Sequence, residues 1–331
     1  MSDALIDHGI GETRAIVVER GEIVEAHVER DGDGLRAGSV WAVRLMHILV
    51  AGRRGIVVAD GHEAMLEPLP TGITEGASLR VEVVREALPE AGRDKLAKVR
   101  AVAADAPDAA GPALAARLAA AGHRVRDVTL APGDPLGDAG WEEVADAAAS
   151  GRVAFSGGLL TISPTPAMTV IDVDGAGSLD YLAHAAAVAA ARAIRLFDLT
   201  GSIGIDFPTL GDRAARTRLG SLLDAQLPPP FERTAVNGFG LVQIVRPRVR
   251  ASLVERLRLA AVETAALTLL RRALRTPGPG IRELTAAPPV IDWLAARAHL
   301  LADLERRTGA AARLRGDARL AISAGYAAAL V

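Results

Sequence analysis

The fold of this chain follows from "MTVIDVDGAGSLD", the stretch of residues 168–180. Apolar and β-branched residues alternate here with aspartates, which predicts a β-strand because successive strand side chains point to opposite faces. Asp172 and Asp174 would share one face of that strand, and the apolar residues between them would occupy the other. The Gly-Ala-Gly that follows ends the strand, and Ser178 is a favourable N-cap for a helix.

A second strand follows the predicted helix. The helix extends to about Leu196, and "SIGIDF" then forms a short strand that ends at Asp206. A helical crossover of this length usually joins two parallel strands. Parallel neighbours would place Asp172 and Asp206 at the carboxyl ends of their strands, at the edge of the sheet where open α/β folds bind ligands.

The two aspartates have a structural and a chemical interpretation. A single Asp at a strand end is often a turn or capping residue, and that interpretation stays open for either one alone. Two carboxylates at equivalent ends of linked strands would repel each other unless a cation lies between them. A divalent cation held by one or two carboxylates and by phosphate oxygens fits this arrangement, and its chemistry would be metal-assisted phosphoryl transfer.

The composition narrows the class of protein. Half of the 331 residues are hydrophobic, which is enough for more than one structural unit. The 38 basic and 40 acidic residues nearly cancel, so nucleic-acid binding would need a local basic groove. The chain has no cysteine, which excludes disulfides and thiolate metal sites and fits a reducing cytoplasm. We expect no signal peptide and no membrane span, because charged residues interrupt the apolar stretches.

The first third of the chain is rich in predicted strands. "ETRAIVVERGEIVEAHVER", residues 12–30, predicts two strands that meet at Gly21. We expect this hairpin to pair into the sheet that carries Asp172. Residues 34–102 contain several short β-like runs separated by Gly and Pro, a spacing typical of a small barrel.

Four segments together resemble one protein family. They are "ETRAIVVERGEIVEAHVER", "SGGLLTISPTPAMTVIDVDG", "RLFDLTGSIGIDF" and "FGLVQIVRPRVRASL". In this order the chain resembles the ribonuclease E/G family: the first segment is similar to the family's opening, and the next two to the segments with its catalytic aspartates. The fourth is similar to the block that closes the catalytic domain, and "ALTLLRRALR" with "PPVIDWLAAR" is similar to a small C-terminal domain.

The resemblance implies a mixed α/β fold in three parts. An RNase H-like catalytic domain would comprise residues 1–33 and 103–245. An OB-type RNA-binding barrel, residues 34–102, would be inserted into it, and a small α/β domain would follow at residues 246–331.

The resemblance also implies an activity. Family members of this kind are Mg²⁺-dependent endoribonucleases that cleave single-stranded RNA in RNA processing or decay, by attack of a metal-activated water on a phosphodiester. Asp172 and Asp206 match the two metal-binding catalytic aspartates, and Asp174 would assist catalysis. Mn²⁺ would be an alternative ion, and the location would be cytoplasmic.

Departures from the family pattern keep a second function open. Asp174 stands where the family usually has Asn, and Gly238 stands where a motif resembling Arg-Phe-Gly-Leu has its basic residue. Without cysteine the family's zinc link has no counterpart, so no zinc is expected. Residues 102–153 are too few to include the family's 5′-monophosphate sensor. The alternative is therefore a catalytically weak or inactive RNA-binding protein on the same scaffold.

Candidate RNA contacts lie outside the aspartates. Arg246 and Arg248 would line one face of an extended segment and contact phosphates, or form a solvated edge. Lys95 lies near a basic position of the family's barrel, and Trp41 could stack on a base or belong to the barrel core. We further predict a homodimer, formed through the Ala/Leu-rich surface of residues 254–274.

Overall fold

The computed structural model describes residues 2–90, 92 and 94–330 as a mixed α/β protein. Its strands, in chain order, are β1 (Asp3–His8), β2 (Glu12–Glu19), β3 (Glu22–Arg30), β4 (Ser39–Val50), β5 (Arg54–Ala59), β6 (His62–Leu66), β7 (Ser78–Arg85), β8 (Ala97–Ala101), β9 (Ala109–Ala110), β10 (Arg124–Asp127), β11 (Arg152–Phe155), β12 (Gly158–Pro164), β13 (Thr169–Gly175), β14 (Gly201–Asp206), β15 (Glu232–Arg233), β16 (Leu241–Arg246), β17 (Ile281–Ala286), β18 (Ala312–Gly316) and β19 (Tyr326–Leu330). Its helices are α1 (Leu114–Ala120), α2 (Pro135–Asp138), α3 (Trp141–Ser150), α4 (Leu179–Leu196), α5 (Arg213–Gln226), α6 (Leu253–Leu259), α7 (Ala261–Arg275), α8 (Pro288–Ala295) and α9 (Ala298–Thr308).

The N-terminal hairpin forms a sheet of its own. Strands β1, β2 and β3 are antiparallel neighbours, and β10 adds to β1 in parallel. The expectation that residues 12–30 pair into the sheet of Asp172 is therefore wrong. Strand β2 has β1 on one side and β3 on the other, so its hydrogen-bonding groups are already used. The two sheets are joined by packing instead: Ile16 and Val28 lie in the same buried cluster as Ile171.

The barrel predicted for residues 34–102 is present. Strand β4 pairs with both β5 and β7, and the order β5-β6-β8-β7-β4 closes into a five-stranded, OB-like barrel. Leu45, Val57, Val81 and Val99 are fully buried inside it. A closed barrel has no free edge, because its first and last strands pair with each other.

The central sheet has the strand order β11-β12-β13-β14-β16-β15. Helix α4 connects β13 to β14, which are parallel, as the strand–helix–strand pattern predicts. One face of the sheet packs on α4 and α5 through a large apolar core that includes Leu160, Ile171 and Ile205. The aspartates of β13 and β14 lie on the opposite face, where they are exposed.

The C-terminal part has a separate apolar core. Strands β17, β18 and β19 form a three-stranded sheet against which α7, α8 and α9 pack. Apolar residues of the segment 254–274 are buried within the chain, Val254 and Leu257 in the large core and Leu267 and Leu270 in the C-terminal core. This segment is therefore not the free surface on which the predicted homodimer was placed.

In the part of the chain that the structure describes, no helix combines the length and apolar character needed to cross a bilayer. The limits of the three predicted domains remain a prediction.

Candidate active site

Asp172 and Asp206 meet at one edge of the central sheet. They are direct partners in the parallel ladder between β13 and β14, and Asp206 is the last residue of its strand. Their neighbours Ile171 and Ile205 are fully buried on the core face, so both carboxylates project from the opposite, exposed face. The juxtaposition predicted from the sequence is present.

Asp174 lies two residues further along β13, on the same exposed face. Among the described residues, the side chains of Asp172, Asp174 and Asp206 take part in no hydrogen bond and no ion pair. This distinguishes them from most acidic side chains near the sheets, which pair with arginines. Three unpartnered carboxylates at one sheet edge give a strongly anionic patch.

Close packing fixes the strand that carries two of these aspartates. Gly175 follows Asp174, and a Cβ added there would lie 2.4 Å from Leu182 Cδ1 and 2.5 Å from the carbonyl oxygen of Gly157. Helix α4 then begins at once, because the Ser178 hydroxyl accepts a hydrogen bond from the Tyr181 amide at 3.3 Å. The sharp strand-to-helix transition holds the carboxylates at the rim.

The donor set suits a hard divalent cation. Paired positions on neighbouring strands are about 4.8 Å apart, a span that one ion with oxygen ligands at ~2.1 Å can bridge. Within the described residues, no group of three or more His, Asp or Glu side chains is arranged to hold a metal. Asp172 and Asp206 would thus supply two ligands, and water or phosphate oxygens the others, as is usual for Mg²⁺.

The two arginines predicted to bind RNA are held within the protein. Arg246 donates from Nη1 to the carbonyl oxygen of Leu199 at 2.8 Å, and its burial lowers the pKa of its guanidinium. Arg248 donates to Glu255 at 2.5 Å. Both side chains are half-buried, so the structure does not present them as a free basic row.

Lys95 and Trp41 lie on the barrel side of the molecule. Lys95 pairs with Glu90 and donates to the carbonyl oxygen of Pro166 at 3.0 Å, in the turn that leads into β13. Trp41 donates from Nε1 to the Ser39 hydroxyl at 2.7 Å, and its ring packs against the barrel core. Lys95 therefore joins the barrel to the central sheet. Trp41 is a partly buried residue of the barrel.

Two exposed residues near the aspartates were not predicted from the sequence as site residues. Arg152 pairs with Thr161 and Thr161 pairs with Asp172, so Arg152 lies in the same row across the sheet as the two aspartates. Phe239 lies in the loop before β16 and is 82% exposed. The register of the hairpin around Gly157–Gly158 could have revealed Arg152, whereas no local pattern distinguishes an exposed Phe from a buried one.

The fold and the site together define an α/β protein with an OB-like barrel and a carboxylate-rich sheet edge, and OB barrels commonly bind oligonucleotides. Comparison with known proteins finds a family model that matches part of the chain. Residues 98–249 match the model of the Ribonuclease E/G family, and this segment contains both aspartates. The match covers slightly less than half of the chain and agrees with the resemblance seen in the segments around the two aspartates.

The relatives found by comparison agree with this partial match. Over 110 residues the chain is 37% identical to Ribonuclease G of Escherichia coli strain K12 and to Ribonuclease G of Shigella flexneri. Ribonuclease G of Salmonella typhimurium strain SL1344 is 37% identical over 109 residues. The first two matches cover 30% of this chain and 22% of each relative, so the chain spans about a fifth of the length of the relatives it matches.

Proposed function

We propose that this protein is a Mg²⁺-dependent endoribonuclease that cleaves single-stranded RNA in RNA processing or decay. The observation that carries the proposal is the in-register pairing of Asp172 with Asp206 on the exposed face of parallel strands. Two further facts support it: both residues lie in the segment that matches the family, and the relatives over this region are named Ribonuclease G.

In this proposal, Asp172 and Asp206 hold the ion, Mg²⁺ or Mn²⁺. When bound, the ion supplies an activated water and neutralises charge on the scissile phosphate. Asp174 would orient water from the outer shell, where partners of metal ligands commonly contribute. The apolar packing behind Ile171 and Ile205 keeps the two carboxylates in fixed positions.

The proposal has four further parts. They are an RNase H-like description of the catalytic region, the absence of a zinc link, a homodimer and a cytoplasmic location. The homodimer needs a surface other than segment 254–274, because the apolar residues of that segment are buried within the chain.

The second candidate is an RNA-binding protein with little or no catalysis. Three observations favour it: Asp174 adds a negative charge where the family has Asn, Gly238 lacks the family's basic side chain, and Arg246 and Arg248 are engaged within the chain. An additional carboxylate beside a phosphate would repel the substrate.

The deciding experiment incubates the purified protein with end-labelled single-stranded RNA, in Mg²⁺ and in EDTA. We expect internal cleavage in Mg²⁺ alone, and a loss of at least about 100-fold in Asp172→Asn, because even outer partners of metal ligands cost 10–100-fold. Asp146→Asn, an exposed aspartate on α3, is the matched control and should keep the parent rate. If the parent binds RNA but leaves it intact in Mg²⁺, the RNA-binding alternative is correct.

A further inference from the structure

The loop of residues 237–241, which we call the Phe239 loop, presents an aromatic ring beside the candidate site. Phe239 is 82% exposed, although aromatic side chains usually bury most of their area. The family match and the proposed metal site give this ring no role. Its exposure therefore requires a separate explanation.

Hydrogen bonds hold the Phe239 loop in one conformation. Asn237 Oδ1 accepts from the amides of Phe239 at 2.9 Å and Leu241 at 3.1 Å. The Thr209 hydroxyl donates to the carbonyl oxygen of Phe239 at 3.1 Å, and the Phe207 amide donates to that of Gly240 at 3.3 Å. The ring is thus presented to solvent by an ordered backbone.

The same contacts place the ring close to the aspartates. Leu241, two residues after Phe239, is the antiparallel partner of Asp206. Two chain steps of about 3.8 Å and one strand spacing of about 4.8 Å put the Cα atoms of Phe239 and Asp206 within ~13 Å of each other. A short stretch of single-stranded nucleic acid could contact both.

A cavity rich in arginine adjoins the Phe239 loop. It has a volume of about 360 Å³, and Gly238 of the loop lines it together with Arg213, Arg216 and Arg233. Arg233 is neutralised by a two-point ion pair with Asp224. Arg216 donates to main-chain carbonyls and forms no ion pair among the described residues, and the exposed Arg213 side chain has no partner there.

We propose that Phe239 stacks on a nucleobase of the RNA and that the cavity of Arg213 and Arg216 receives a neighbouring backbone phosphate. This inference rests on the proposed function and assigns part of its substrate contact to this surface. Aromatic stacking accepts any base, and arginine recognises phosphate without reading sequence. The surface would hold a single strand, because bases in a duplex have no free face for the ring.

The first test measures binding of a labelled oligouridylate to Asp206→Asn protein, in which RNA stays intact. We expect Phe239→Ala to weaken binding about 5- to 150-fold, the range for ~1–3 kcal/mol from one stacked base. Phe239→Tyr should retain binding, and Leu130→Ala, which removes an apolar side chain that is 97% exposed, is the control. Unchanged affinity in Phe239→Ala overturns the proposal.

The second test separates stacking from any other contact. On a ribose-phosphate oligomer without bases, Phe239→Ala and its parent should bind equally. An equal loss on both ligands overturns stacking, as does a change of oligomeric state on Phe239→Ala, which would make the ring a protein contact.

The third test concerns the phosphate. Arg213→Gln should reduce the slope of log affinity against log salt concentration by about 0.7, the value for one phosphate contact on a single strand. An unchanged slope overturns the role of the cavity. Because these variants are read by binding, failure of RNA cleavage by the parent leaves their outcomes interpretable.

Discussion

At the scale of single residues, the site depends on which carboxylates lack a partner inside the protein. Asp172 and Asp206 project from the exposed face of adjacent parallel strands, and no arginine neutralises either one in the described chain. Two unpaired carboxylates at a strand end stay hydrated, so they cost the fold little free energy. They are stabilised most when a cation binds between them. We therefore expect their role to be functional rather than structural.

Asp174 gives a prediction with a defined direction. Asp174→Asn restores the residue that the resembled family usually has and removes one negative charge from the edge that the phosphate approaches. We expect the KM for RNA to fall, because repulsion weakens, and the Mg²⁺ concentration for half-maximal rate to rise, because the site attracts cations less.

Steady-state cleavage at several Mg²⁺ concentrations measures both quantities. The change in kcat should stay below the loss caused by replacing Asp172 or Asp206. A KM that rises in Asp174→Asn would mean that the carboxylate assists substrate binding, which contradicts this interpretation.

At the scale of secondary-structure elements, the rim depends on how β13 passes into α4. Gly175 lies where no side chain fits, since an added Cβ would meet Leu182 and the Gly157 carbonyl oxygen at 2.4 and 2.5 Å. The turn between β11 and β12, the end of β13 and the first turn of α4 thus pack as one unit. Asp172 and Asp174 belong to this unit.

Gly175→Ala tests this packing. We expect it to lower the free energy of unfolding by about 1–3 kcal/mol, the usual cost of overpacking a filled site, and to lower cleavage as the aspartates shift. Urea unfolding measures the first effect. Gly32→Ala, where an added Cβ meets nothing within 4 Å, is the control. Equal free energies of unfolding for Gly175→Ala and Gly32→Ala would show that β13 and α4 can move apart without loss of stability.

Some of this organisation is predictable from the sequence, and some is not. The pairing of Asp172 with Asp206 depends on a strand, a helix and a strand in succession, so local patterns and connection rules suffice. The sheet that contains residues 12–30 is completed by β10, more than ninety residues away, whose four residues, three of them exposed, carry no strand pattern. Likewise, nothing near Arg246 in the sequence indicates that the Leu199 carbonyl would accept its hydrogen bond.

At the scale of the whole molecule, a buried group of charges joins the first and last thirds of the chain. Glu12 and Arg14, the charged residues of the "ETR" opening, form an ion pair at 2.6 Å. Arg14 donates to Thr268 at 2.8 Å, and Arg30 donates to Glu263 at 2.6 Å, both on α7. The opening motif thus has a structural role: it fixes the N-terminal sheet to the C-terminal part.

Glu12 makes stability depend on pH. Burial alone would raise the pKa of Glu12, but Arg14, Arg271 and Arg30 outweigh it, so the net pKa is lowered. A lowered folded-state pKa stabilises the protein above the unfolded value of about 4.3, and that contribution is lost as pH falls through the folded-state pKa. The expected result is acid destabilisation that requires Glu12.

Urea unfolding between pH 7 and pH 3 measures this acid destabilisation. Glu12→Gln should lower the free energy of unfolding by on the order of 3–5 kcal/mol at pH 7, the cost of breaking a buried charge pair. This difference from the parent should shrink at acid pH. Glu63→Gln, at an exposed position in the barrel, should follow the parent throughout. A difference that is constant with pH would exclude Glu12 as the titrating group.

The proposed function requires that Asp172 and Asp206 together hold one divalent ion on which RNA cleavage depends. The most direct test is the single-turnover cleavage rate of a labelled single-stranded RNA as a function of Mg²⁺ concentration, for the parent, Asp206→Asn and Asp146→Asn. We predict a saturable rate in the parent and in Asp146→Asn, and a rate at least about 100-fold lower in Asp206→Asn at an unchanged melting temperature, because the exposed carboxylate has no packing role. Cleavage by Asp206→Asn at the parent rate, with the same Mg²⁺ dependence, would show that the two carboxylates do not hold an ion needed for cleavage.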